Sequence, residues 1–216
     1  MNADQIATLR ALLAPTGWLD RTSAFARALR RSARTPNGLL IVGTADEEPW
    51  HMTAHLADES RYAGIPELTP TLVRWAPEPG APAHLSVGLD RLRAATRDET
   101  LLVVSQAVAP AELLERVHDL RRAGGTIFAL DRDDPELDQL AHESLPVSPV
   151  TAPMSFDAAQ HLVSSAVAAD ASPGRYRSAD PLADAGLAVR PGASADRRLR
   201  SRLARLLDAV SGTAPD

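Results

Sequence analysis

The stretch from Leu101 to Ser148 constrains the fold more than any other part of this chain. Leu101-Leu102-Val103-Val104 is a short apolar run of the kind a fully buried strand needs. A polar break and Pro110 follow, and Ala111 to Arg122 then carries Leu113, Leu114, Val117 and Leu120 at helical spacing. Gly124 and Gly125 end that helix, since glycine enters a left-handed cap at no steric cost. Thr126 to Leu130 is a second buried run, and Pro135 to His142 suggests a short helix. Strand, helix and strand joined by a crossover of this length make a parallel pair with a right-handed connection. Ligands in such sheets sit at the carboxyl ends of the strands. The loops Ser105 to Pro110 and Asp131 to Pro135 are therefore the ones expected to matter most.

The flanking sequence supplies the remaining layers. Asn2 to Leu13 has the spacing of a short amphipathic helix, and Asp20 is placed to cap a second helix over Arg21 to Ala33. Leu39-Leu40-Ile41-Val42 reads as the first buried strand, Met52 to Ala63 as a helix and Thr69 to Trp75 as the second strand. Val87 to Ala95 reads as a helix, and Ser144 to Val147 as a last strand. Ser155 is placed to cap a helix over Phe156 to Ala169. Asp170 to Ala195 has the Ala, Ser, Pro and Gly content of a linker or surface arm. Asp196 to Val210 spaces Leu199, Leu203, Leu206, Leu207 and Val210 along one side of a final helix, with Arg on the other. The domain plan is N-terminal helices over 1–35 packed on the core, an α/β domain over 36–170, an arm over 171–195, and a helix and tail over 196–216.

Composition closes off several kinds of chemistry. The chain has no Cys, which excludes disulfides, thiolate nucleophiles and thiolate metal sites. Every basic residue is Arg, so no Lys can form a Schiff base. With abundant Ala, this points to a GC-rich, bacterial genome. A net charge of -5 gives no reason to expect nucleic acid or an anionic membrane as partner. No signal-peptide core opens the chain and no apolar run has transmembrane length, so a cytoplasmic protein is expected. No GxGxxG, P-loop or GxSxG motif occurs.

The segments LLVVSQ, ELLERVHDLRRAGGTIFALD and LDQLAHESLPV together resemble the framework of the sugar isomerase (SIS) domain family. FARALRRSARTPNGLLIVGT resembles that family's leading helix and first strand, and SFDAAQHLVSSAVAA its closing helix. The resemblance spans roughly residues 20 to 170. It implies a three-layer α/β/α sandwich with a mainly parallel five-stranded sheet of flavodoxin-like or Rossmann-like kind, and it implies a homodimer. It also implies a phosphosugar site. The family's Ser-X-Ser-Gly-X-Thr loop falls on Ser105, Gln106, Ala107, Val108, Ala109 and Pro110. Only Ser105 is kept, so two hydroxyls, the flexible glycine and one N–H donor are gone. The first-strand loop keeps Gly43 and Thr44 but continues with Ala45, Asp46, Glu47 and Glu48. Carboxylates at a helix N-terminus take the electrostatic place of a phosphate. They read either as caps for the helix that follows, or as the mark of a cleft that takes a cationic or neutral ligand or a basic partner.

The candidate ligand-binding residues are thus Gly43, Thr44, Ser105, Gln106 and Asp131. His51, His55 and Glu59 stack on one helix face and are candidates for proton transfer, and His161 is a further candidate. HMTAH lacks the glutamate of HExxH, so no metal and no cofactor is expected. Asp133 or Asp134 is expected to cap a helix that starts at Pro135. The leading expectation is a non-catalytic SIS-like protein that binds a sugar derivative or serves as a regulatory or assembly partner. The other is a divergent phosphosugar isomerase, with Thr44 and Ser105 on the phosphate and His51, His55 or Glu59 moving the proton.

Overall fold

The computed structural model describes Leu13, residues 17–148 and residues 154–169. Strands β1 (Leu39–Val42), β2 (Pro70–Val73), β3 (Thr100–Ser105), β4 (Thr126–Asp131) and β5 (Glu143–Pro146) form one sheet. Every pairing is parallel, and the order is β2-β1-β3-β4-β5. The helices are α1 (Trp18–Ser32), α2 (Trp50–Ala63), the single turn α3 (Asp90–Arg93), α4 (Ala111–Arg122), α5 (Pro135–Leu140) and α6 (Phe156–Ala169).

Alternation along the strands sorts the core into two halves. Leu39, Ile41, Leu102, Val104, Phe128 and Leu130 face α1, α2 and α6. Leu40, Val42, Leu101, Val103, Ile127 and Ala129 face α4, α5 and the Leu92 turn. All four β1 side chains are fully buried, as an unbroken apolar run in a sheet covered on both faces requires. Each contributes about 1.5–3 kcal/mol of burial. Pro70 is tolerated because β2 is an edge strand.

Three elements differ from expectation. The helix expected over Val87 to Ala95 is one turn, because the Arg74 N–H bonds the Val87 carbonyl at 2.8 Å and Arg74 bridges Gly88 in parallel. That pairing holds Val87 and Gly88 extended. Helix α1 begins at Trp18, ahead of the Asp20 start, with Gly17 as its N-cap at φ 63°. Trp18 is fully buried and its Nε1–H donates to the Pro146 carbonyl at 3.4 Å, so tertiary packing sets that boundary. The second strand is shorter than Thr69 to Trp75, since Thr69 closes a 3-10 turn over Pro66–Leu68. The expected helices over 2–13 and 196–210 and the arm over 170–195 fall outside the described residues, Leu13 excepted.

Candidate functional site

The strand order decides where the crevice opens. The chain leaves β1 for the edge at β2 and returns on the other side of β1 as β3, so the order reverses between β1 and β3. In an open parallel sheet that reversal leaves a gap at the carboxyl ends, where connections run to opposite faces. A pocket of about 330 Å³ lies there, near the lower end of ligand-site volumes. Glu47, Glu48, Pro49, Trp50 and His51 line it from the β1 exit and the start of α2. Val104 on β3, with Asp157 and Gln160 on α6, closes the other side. The sequence pointed to the Ser105 to Pro110 and Asp131 to Pro135 loops, but no residue of either loop lines the pocket, which the β3 side meets through Val104. The reversal pairs the β3 exit with the β1 exit.

Glu47 and Glu48 do not cap α2. Its N-cap is Pro49 and no side chain accepts a cap hydrogen bond. Glu48 instead reaches the exit of β2, accepting from Arg74 Nε at 2.9 Å and from the Trp75 N–H at 3.1 Å. Arg74 also lies over the Trp50 ring, 4.6 Å from its centre. Glu47 accepts from the Gln106 Nε2–H, which ties the β1 exit loop to the β3 exit loop across the crevice. Gln106 Oε1 in turn accepts from Arg132 at 3.2 Å.

Gly43 is required by space. A Cβ there would collide with the Glu47 carbonyl and lie 2.7 Å from Pro49 Cδ. The Trp75 Nε1–H donates to its carbonyl at 2.9 Å. Thr44 is buried, and its backbone exchanges hydrogen bonds of 3.1 and 3.2 Å with Glu47. Ser105 is buried and its hydroxyl donates to the Ala107 carbonyl within its own loop. Asp134 occupies the β3 exit loop as an anion would. It is 3% exposed, accepts from the Ala109 N–H at 2.7 Å, and caps α5 through Glu136 N and Leu137 N at 3.0 and 3.2 Å. That cap is where the sequence placed it. Asp131 accepts from the Asp134 N–H at 2.9 Å and from the Ser144 hydroxyl at 3.4 Å, which organises the turn in which Asp133 takes φ 60°. Burial, with the Asp134 and Asp138 charges, holds the Asp131 carboxyl above the usual carboxylate range. Gly43, Thr44, Ser105, Gln106 and Asp131 therefore surround the crevice without lining the pocket.

The histidines gather at the α2–α6 seam. His161 lies edge-on to His55 at 4.2 Å between ring centres and stacks on His51 at 6.2 Å. Burial, then the nearby His55 and His51, pushes the His161 pKa below its ordinary value, against the opposing pull of Asp157. Its Nδ1 is buried without a hydrogen-bond partner among the described residues. Glu59 stands one turn beyond His55, away from the pocket lining. No group of three or more His, Asp or Glu among the described residues is arranged to hold a metal ion.

Asp157 and Gln160 are the site residues that the sequence reading passed over. Their signal is a polar stripe, Asp157, Gln160, His161 and Ser164, at spacings of three, four and seven on a helix whose one other polar residue is Ser165. The Ser155 hydroxyl starts that helix by accepting from the Ala158 N–H at 3.1 Å, as its sequence implies.

No helix among the described residues is long and apolar enough to cross a membrane. No protein-family model matches the chain, and no curated protein does. Among solved structures the chain is similar to the sugar isomerase domain of the RpiR transcription factor from Sphaerobacter thermophilus, at 15% identity over 95% of this chain and 94% of that one, with a TM-score of 0.48.

Proposed function

We propose that this chain is a non-catalytic SIS-like binding protein, working as a homodimer in a regulatory or assembly role, whose pocket takes a sugar derivative without a phosphate. The observation that carries this reading is the Glu47–Gln106 hydrogen bond. It fixes a carboxylate between the two loops from which a phosphate cradle would be built. At an effective dielectric near 20, a unit anionic charge about 5 Å from that carboxylate is repelled by about 3 kcal/mol. That is roughly a hundredfold in affinity. Two further groups support the reading. The Ser105 hydroxyl is turned to its own loop, and the Ala109 N–H is taken by Asp134. An isomerase that held phosphate on Thr44 and Ser105 would need those groups released first.

A thermal-shift series on the full chain tests the proposal, using hexoses, pentoses, heptoses and amino sugars with and without phosphate. A ligand of the folded state at a hundredfold excess over its Kd stabilises by about 2.7 kcal/mol. For a chain of this size that raises Tm by roughly 5–10 °C. A shift with an unphosphorylated sugar, absent or smaller with its phosphate ester, is expected. A larger shift with the ester, lost in Ser105→Ala, would return the site to phosphosugar chemistry.

A further inference from the structure

We infer that His51, His55 and His161 form a proton-sensitive latch between α2 and α6, which keeps two walls of the pocket together near neutral pH and parts them as the histidines take up protons. The latch is independent of what the pocket binds. Helices α2 and α6 pack on one another, with Trp50 and His51 on one wall of the pocket and Asp157 and Gln160 on the other. The three imidazoles meet where these helices touch. His161 lies edge-on to His55 at 4.2 Å between ring centres and stacks on His51 at 6.2 Å. His51 belongs both to this cluster and to the pocket lining.

Neutral imidazoles pack in this way as other aromatic rings do, edge to face or stacked. Charged ones do not. Histidine is the side chain whose charge ordinarily changes between pH 5 and 8, and two imidazolium ions this close repel. His161 has a second reason to resist the proton, because its buried Nδ1 has no hydrogen-bond partner among the described residues. Both nitrogens of an imidazolium are donors, so the cation carries a buried N–H without an acceptor. The surroundings offset little of that charge. Asp157 pulls the other way, but it is exposed and already accepts from Gln160. On α2, Asp58 is exposed and bonds Arg61, and Glu59 stands one turn beyond His55. Arg30 on α1, which also packs on α6, and Arg132, 5.9 Å from the centre of the Phe156 ring, are further cations. Burial and the two facing imidazoles accordingly hold His161 below the usual histidine range. Separating the helices relieves both the repulsion and the buried donor, and the opening reaches the pocket through His51.

Amide hydrogen exchange of the full chain without ligand, at about pH 7.5 and about pH 5.5 and corrected for the intrinsic pH dependence of exchange, tests the latch. Between the two, protection over residues 52–60 and 158–166 is expected to fall about tenfold, while protection over residues 113–122 of α4 stays within about twofold. His161→Phe keeps a ring at the seam and removes the proton, and should hold the seam within about twofold as well. Should that variant not fold, His55→Gln at its exposed position decides: with one charge fewer, the loss should shrink to about threefold. Seam protection that does not change with pH, a fall shared equally by α4, or a fall that persists undiminished in the variants would overturn the inference.

Discussion

Asp134 shows how one side chain can hold two loops together. It is buried, yet it meets three backbone N–H groups, two at the start of α5 and one in the β3 exit loop. Asp134→Ala strands those donors out of reach of water and is expected to cost about 2–4 kcal/mol. The measurement is the urea midpoint, which should fall with an unchanged slope. Asp134→Asn, which keeps an acceptor oxygen, should recover part of the loss. The α5 half of this role was legible because capping is local: Asp-Pro before an amphipathic turn carries its own geometry. The bond to Ala109 was not, because it joins positions 25 apart in sequence. Gln160 and Asp157 were missed for the same reason, since what they face is brought by a distant strand and loop.

At the scale of elements, the long periodic segments were read to within a few residues, and α4 and α6 fall where their apolar spacing puts them. The failures are short elements that tertiary pairing overrides. Val87 and Gly88 have helical neighbours but lie beside Arg74, and Glu48 and Glu47 bond Arg74 and Gln106 rather than capping α2. The α2–α6 seam carries a pH dependence whose direction follows from its histidines. Burial and the two neighbouring imidazoles depress His161 below the ordinary histidine value of 6.5. The unfolded chain then binds a proton that the native state resists. Stability is fully present above pH 6.5 and falls as pH drops from 6.5 toward the depressed native value. Burial sets most of the size of this effect, with His55 and His51 on α2 adding to it and Asp157 on α6 opposing it. In His161→Gln the fall in unfolding free energy across that window should be shallower, read by urea titration at a series of pH values. An unchanged slope would place the titration elsewhere.

At the scale of the molecule, a parallel sheet with helices on both faces was legible from three apolar runs and the helix-length crossovers between them. The order of the strands was not, because each βαβ unit specifies a handedness and leaves open which side of β1 receives β3. That single choice sets the crevice at the β1 and β3 exits, both of which the sequence reading had named, and leaves the β4 exit outside the pocket lining. The central claim is that this crevice has exchanged an anion cradle for a carboxylate-lined pocket. Backbone amide shifts of the labelled full chain, titrated in parallel with glucosamine and with glucose 6-phosphate, test it most directly. The account predicts that glucosamine perturbs residues 47–51 and 157–161 while the phosphate ester leaves the whole edge unmoved. Saturable shifts at Thr44 and across Ser105–Ala109 with the phosphate ester, and none with glucosamine, would contradict it.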